Sequence, residues 1–456
     1  MSIKKIHTVF EPVSIPLEDK IEVPFTVVGS QQWFDTAFEP DAVFEDEMVV
    51  ISDPAQLESI VVQAGSLKII GVDTETTGDY KVGDKGYTLN PHNPTTRIVL
   101  LQIGNEDHVW VISPEYIDAF KDVLENPCQL HLAHNWEYDF KWLLVKNQIH
   151  PVRLYCSMLA EQLLKAGKVG YKVGLADCAR RYEPYNIVSK AVRSQFTRLG
   201  DGKMTRQMVE YAVRDIPLLF PVYRAQRQEL IDSELGKIAD MEFRNIKVAV
   251  EMETGGYHID ERKLDLLISY WEGQQKLLEE EILNEYDRRR KELGQQTQSF
   301  FPEMKEVFDL KSNKEKLEAM HNLGIAIGDV QRSTLESKND PFTDKLARYS
   351  GILKMTSTYG DNIKRKISRK PDPEDDVVYP RFAQLGAGSG GGEGRDTKDT
   401  TATGRWVGDA QQFPRKSDGR YAPLSKEHTL FVQANLGDLI ARFDAEYAQQ
   451  QKEKAA

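Results

Sequence analysis

Cysteine is scarce in this chain. Three thiols in 456 residues, Cys128, Cys156 and Cys178, are too few and too scattered for a disulfide framework, which fits a reducing compartment. Long apolar runs are missing too. No stretch approaches the roughly 20 residues that span a bilayer, and the opening MSIKKIHTVFEP lacks the apolar region of a signal peptide, so a cytoplasmic location with no membrane partner is expected. Nor is there a surplus of basic charge: 59 Lys and Arg stand against 71 Asp and Glu, a net charge of −12. That balance argues against polyanion affinity spread over the whole surface and leaves only local basic patches for such a role. The length is too great for one ordinary domain, and two or three are expected.

What is present centres on LKIIGVDTETTG, residues 67–78, where an apolar run ends in Asp73 and Glu75. Residues two apart in a strand share a face, so both carboxylates leave one buried edge toward one point. Further along, HLAHNWEYDF puts Asn135 and Asp139 four apart, and VEYAVRDI does the same for Tyr211 and Asp215. On a helix, residues four apart lie on a common face, so each segment can present its pair to a common centre. Asp73, Glu75, Asp139 and Asp215 together form an oxygen-donor set suited to Mg²⁺ or Mn²⁺. Two such ions about 4 Å apart can activate water and neutralise charge in phosphodiester cleavage.

A strand D-x-E, a helical N-x-x-x-D and a helical Y-x-x-x-D in that order resemble the three motifs of the tyrosine-type DEDD 3′→5′ exonucleases. The resemblance implies two Mg²⁺ or Mn²⁺ ions on the four carboxylates, a catalytic set of Asp73, Glu75, Asp139, Tyr211 and Asp215, and a Tyr211 hydroxyl that orients the attacking water. It also implies a ribonuclease H-like α/β domain, a mixed sheet flanked by helices. Strands at MVVIS, RIVLLQIG and DHVWVI, with a helix started by Asp53 and Pro54 and another at PEYIDAFKDVLEN, agree with that class. Cys128, His131 and His134 fall three apart, but a closed zinc site needs four ligands and no second pair follows. LYCSMLAEQLL matches a helix of the family, with Cys156 standing where an acid is common. Between Gly174 and Met204 a basic and aromatic stretch includes Arg180, Arg181, Lys190, Arg193, Arg198 and Lys203, able to anchor phosphates and stack bases.

From about Leu230 the text becomes long, charged and helical, broken at Gly255 and Gly256. METGGYHID, FDLKSNKEKL and KLARYSGILKMTSTYGDNI resemble the thumb of family A DNA polymerases. YPRFAQLGAGSGGGEGRDTKDTTATGRWVGDAQQFPR resembles part of the palm, with T-x-T-G-R carried by Thr401, Thr403, Gly404 and Arg405. By this resemblance Thr403, Arg405 and Arg415, with Asn135, Arg193 and Arg198, are expected DNA contacts. Gly386, Gly388 and Gly391 fit G-x-G-x-x-G, but no helical pattern follows, so a flexible loop is read there. FVQANLGDLIARF occupies the place of polymerase motif A, with Asn435 where the metal-binding aspartate belongs and Ile440 where the glutamate belongs. An amide carries no formal charge and substitutes poorly for a carboxylate at Mg²⁺.

The division expected is an N-terminal extension over 1–47, an exonuclease domain over 48–228, a mostly α-helical thumb-like region over 229–378 and a partial α+β palm-like region over 379–456 lacking fingers. Such a chain trims DNA primer ends, with single-stranded 3′ ends and primer-template as partners, but cannot polymerise alone. Half a palm exposes apolar surface, so a second polymerase subunit carrying fingers and remaining palm is an expected partner. Divided family A polymerases suit a phage origin, hence a host cytoplasm. Two alternatives stay open: a subunit whose main role is gripping primer-template, and an RNA 3′-exonuclease.

Overall fold

The computed structural model describes residues 23–78 except 43 and 45, and 89–168, 171–182, 190–259, 261–295, 307–361, 363, 377–385 and 406–408. The chain divides into two compact units, residues 1–256 with 379–408, and residues 257–378 with 409–456.

The first unit is built on a seven-stranded sheet ordered β2-β1-β5-β4-β3-β6-β7. In chain order the strands are β1 (Phe25–Gly29), β2 (Met48–Val50), β3 (Ile69–Thr77), β4 (Arg97–Gly104), β5 (Val109–Ile112), β6 (Leu130–Ala133) and β7 (Leu154–Cys156). β3 and β4 pair antiparallel, as do β4 and β5, whereas β1 with β2, β1 with β5, β3 with β6 and β6 with β7 run parallel. Strands covered on both faces read as unbroken apolar text, and in the centre of the sheet Ile98 to Leu101 and Val109 to Ile112 are all buried.

Residues 25–29, which the sequence places in an N-terminal extension, form an inner strand of this sheet. FTVV carries two β-branched residues that are fully buried, Val27 and Val28, and β1 pairs on both sides. The short helix α1 (Gln31–Ala37) follows, capped by Ser30, and packs Trp33, Phe34 and Phe38 edge to face. Helix α2 (Pro54–Ser66) starts at the expected Asp53, which forms a reciprocal capping box with Gln56. The segment Pro114–Leu124 is a 3₁₀ stretch that widens into one turn of α-helix, α3 (Lys121–Leu124).

Helices α4 (Trp136–Asn147), α5 (Ser157–Leu164), α6 (Leu175–Tyr182), α7 (Lys190–Thr197) and α8 (Arg206–Asp232) cover the sheet. The helix α9 (Gly236–Gly255) belongs to the same unit. Its buried face, Ala239, Phe243, Ile246 and Val250, joins the core formed by the sheet. The compact unit therefore runs past residue 228, where the sequence division ends the exonuclease domain, to Gly256, whose φ of +60° ends the helix in a conformation that suits glycine.

In the second unit β8 (Tyr257–His258) pairs with β9 (Val377–Val378), and α10 (Glu261–Glu292) packs against α13 (Pro341–Lys354), with α11 (Asn313–Asn322) and α12 (Arg332–Glu336) between them in sequence. Its own core gathers Ile268, Trp271, Ile282, Tyr286, Leu335, Phe342, Leu346 and Tyr349. Arg289 bridges Glu285 and Asp340, each at 2.8 Å. Strands β10 (Phe382–Ala383) and β11 (Val407–Gly408) form a small antiparallel pair in the first unit.

Candidate active site

The site grows from the end of β3. Asp73 and Glu75 alternate with Thr74 and Thr76, so the two acids share one face while the threonines point to the other. The strand is paired with β4 as far as Thr77, with a register shift between Glu75 and Thr76. On its other side β6 pairs only with Ile69 to Gly71 and then turns away. The edge of β3 from Thr74 onward is thus open to the helix that follows β6.

That helix is α4, and Asp139 in its first turn fills the opening. Its Oδ1 accepts hydrogen bonds from Thr74 N at 3.0 Å and from Thr74 Oγ1 at 2.7 Å. The carboxylate is 2% exposed, so two donors answer its lost hydration. One residue before it, Tyr138 OH bonds Thr76 Oγ1. On the far side, Thr77 Oγ1 accepts from Gly200 N at 2.8 Å, and Arg97 at the start of β4 donates to Gly200 O and pairs with Asp201. The threonines between and after the acids therefore hold both neighbours of the strand in place.

Helix α8 brings the third motif. It is capped by Thr205 and fixed at its start by Arg206, which pairs with Glu47 at 2.6 Å and Glu210 at 3.0 Å. The Arg206 guanidinium holds the Glu47 carboxyl below the usual carboxylate range. Gly71, two residues before Asp73 and on its face, meets α8 so closely that a Cβ there would lie 2.9 Å from Ile216 Cγ2. Asp215 adjoins Ile216, and Tyr211 sits one helical turn earlier, so both come from the helix that covers the face bearing Asp73 and Glu75.

Asn135 departs from the helical expectation. It precedes α4 as its N-cap, with φ +72° in the left-handed region that asparagine tolerates, so it does not share a helical face with Asp139. Its side chain makes no capping bond. His134 Nδ1 lies 2.9 Å from Ser157 Oγ, and both ring nitrogens of His131 face backbone carbonyls, of Val152 and Val123. Among the basic residues, Arg198 is exposed just ahead of the Gly200 turn that touches Thr77. Arg193 lies on α7, where only the backbone is described. Thr401, Thr403, Gly404, Arg405, Arg415, Asn435 and Ile440 lie outside the described residues.

Two buried polar groupings near the site have no signal in the motifs. Lys141 on α4 pairs with both Glu137, at 3.3 Å, and Glu253 of α9, and Glu253 also accepts from Phe382 N. One lysine cannot neutralise two carboxylates, Glu253 buried and Glu137 largely so. Burial, against the pull of Lys141 and with the push of Glu253, raises the Glu137 carboxyl to about 7. Glu161 of α5 is fully buried and accepts from Arg181 at 2.8 Å, Tyr182 OH at 2.9 Å and Gln226 at 2.7 Å, tying α5 to α6 and α8. Burial, then the Glu161 charge, pushes the Tyr182 hydroxyl far up.

The donor chemistry of Asp73, Glu75, Asp139 and Asp215 suits a hard divalent cation. Among the described residues, however, no group of three or more His, Cys, Asp or Glu side chains is arranged to hold a metal ion. The motif-bearing elements are adjacent, while their carboxylates are not drawn into a ready metal centre; like charges oppose such crowding without a counter-charge.

Residues 48–231 match the family model of the 3′-5′ exonuclease, the domain of that name in the DNA polymerase A family. No curated protein matches the chain in sequence. Among solved structures, the POL domain of Pol1 from M. smegmatis, in complex with DNA primer-template and dNTP, is similar at 17% identity and a TM-score of 0.54. The match covers 80% of this chain and 56% of that one, so this chain spans little more than half of the polymerase domain it resembles. NrnC from Brucella melitensis with bound Mg²⁺ is similar at 16% identity and a TM-score of 0.38 over 51% of this chain and 95% of that one. The catalytic core of RRP6 from Trypanosoma brucei is similar at 18% and 0.39, over 60% and 67%. The first unit has the ribonuclease H-like exonuclease fold, a mixed sheet flanked by helices, followed by a helical region.

Proposed function

We propose that the chain is a divalent-metal-dependent 3′→5′ exonuclease that removes nucleotides from DNA primer ends. The observation that carries this reading is the double hydrogen bond from Thr74 to Asp139, which ties the second motif to the residue standing between Asp73 and Glu75. The exonuclease match over 48–231 agrees with it, and the polymerase-like helical region after that domain favours DNA over RNA as substrate.

Asp73, Glu75, Asp139 and Asp215 would hold two Mg²⁺ or Mn²⁺ ions. When bound, those ions supply a nucleophile at neutral pH and neutralise charge on the attacking and leaving oxygens. Tyr211, one turn before Asp215, orients the attacking water through its hydroxyl. Thr74 fixes the Asp139 carboxylate through its backbone N–H and its hydroxyl. In this reading Arg198, which is exposed, and Asn135, whose side chain is not engaged in capping, would meet the phosphates and the terminal nucleotide. A partner supplying fingers and remaining palm belongs to this reading as the source of polymerisation.

The test is release of label from a 3′-labelled oligonucleotide with Mg²⁺, with Mn²⁺ and with chelator, on single-stranded, paired and mismatched DNA and on matched RNA. Asp73→Asn and Asp215→Asn should each lower the rate by at least about 100-fold, a loss of several kcal/mol of transition-state stabilisation. Activity that survives chelation, or that persists in both variants, would overturn the reading. Faster trimming of RNA than DNA would move the substrate assignment to RNA.

A further inference from the structure

Gln102 is fully buried in the middle of β4, and both ends of its amide, Nε2 and Oε1, lack a hydrogen-bond partner. Most buried polar side chains are hydrogen-bonded, and an amide with neither end engaged in a sheet interior calls for a physical reason. Its position supplies one. Gln102 is the direct cross-strand partner of Asp73. Side chains directly opposite in an antiparallel pair lie on the same face with Cβ atoms about 5 Å apart. The amide is therefore next to the first carboxylate of the D-x-E pair, on the face that α8 covers through Gly71 and Ile216.

Along β4 and toward β5 its neighbours are apolar. On its other side Gln102 pairs with Val111, and Leu100, two residues along its own strand, is fully buried as well. A methionine or leucine would fill such a place without leaving donors and an acceptor unmet. Gln102 thus reads as a group kept for a partner that comes within reach when the site is loaded.

We propose that Gln102 is a positioning residue for Asp73: its Nε2 donates to the Asp73 carboxylate when that carboxylate takes up a divalent cation. The inference rests on the reading of Asp73 as a metal ligand. Hydrogen bonds of this kind orient ligating carboxylates, and losing one lowers metal affinity or activity by about 10–100-fold.

The experiment uses the full chain and titrates Mn²⁺ by calorimetry, alongside melting of the metal-free protein, for wild type, Gln102→Met, Gln102→Leu and Asp73→Asn. Gln102→Met should weaken Mn²⁺ binding by about 10–100-fold while raising the metal-free melting temperature by about 2–6 °C, because the orphaned amide is gone. Gln102→Leu carries the same comparison should the methionine variant not fold. Unchanged Mn²⁺ affinity in the Gln102 variants, with binding abolished in Asp73→Asn, would overturn the role of Gln102 and leave the Asp73 reading standing. Weakened affinity accompanied by a lower metal-free melting temperature would mark Gln102 as packing only and also overturn it. Undiminished binding in Asp73→Asn would overturn both.

Discussion

Thr74 carries more of the site than its neutral side chain advertises. Both of its donors go to Asp139, so Thr74→Val removes the hydroxyl bond to a buried carboxylate and keeps the volume. The loss should cost about 1–2 kcal/mol of stability and lower the nuclease rate about 10–100-fold, read from thermal melts and single-turnover assays. A rate equal to wild type would show that the Thr74 hydroxyl plays no part in positioning Asp139. Glu137 gives a second residue-level expectation. Its folded-state carboxyl is raised to about 7 by burial beside Glu253, against an ordinary value near 4.5. Between those two values the folded chain binds more protons than the unfolded one, so this group withdraws stability as pH rises from about 4.5 to 7. Glu137→Gln lacks that slope. Its melting temperature minus that of wild type should climb between pH 5 and pH 8, by an amount equivalent to about 2 kcal/mol. A difference that is flat with pH would show that Glu137 is ionised throughout.

At the scale of elements, the site depends on how closely α8 lies on β3. Gly71 permits the approach: a Cβ at that position would stand 2.9 Å from Ile216 Cγ2 and 3.3 Å from Leu219 Cδ1. Gly71→Ala must push the helix outward or twist those side chains, at about 1–3 kcal/mol. Tyr211 and Asp215 ride on that helix, so activity should fall more than the melting temperature implies. Wild-type activity in the alanine variant would show that α8 can move without disturbing the site. This contact also marks where the sequence is and is not legible. That Asp73 and Glu75 share a strand face, and that Tyr211 and Asp215 lie one turn apart on a helix, could be read from spacing because strand and helix periods dictate which residues share a face. The parts played by Thr74, Gly71 and Gln102 depend on where β6 stops, on what faces the strand and on the β3 to β4 register, none of which local periodicity records. Asn135 illustrates the limit of the period itself. A pair four residues apart looks helical, yet its first member is a left-handed cap.

At the scale of the whole molecule, the sequence reads as an exonuclease domain followed by a thumb, and the compact unit draws the boundary elsewhere. FTVV in β1 was hidden by the prolines and acids around it, although it is an inner strand, and α9, legible as a helix up to the Gly255 and Gly256 break, was grouped with the thumb-like region. The buried face of α9 contributes Phe243, Ile246 and Val250 to the first core. A fragment spanning 23–231, close to the end of the family match, exposes the surface that these residues cover, including Tyr155, which contacts Phe243 at a ring separation of 4.7 Å. A fragment spanning 23–256 keeps it covered. Burying three such side chains contributes roughly 5–8 kcal/mol, comparable to the whole stability of an ordinary domain. The longer fragment should therefore show a cooperative thermal transition and the shorter one should aggregate or melt without one, measured by circular dichroism and size exclusion. Two fragments with equal melting temperatures would return α9 to the second unit. Equal melting would also show that the pair between Lys141 of α4 and Glu253 of α9 adds nothing to the stability of the first unit.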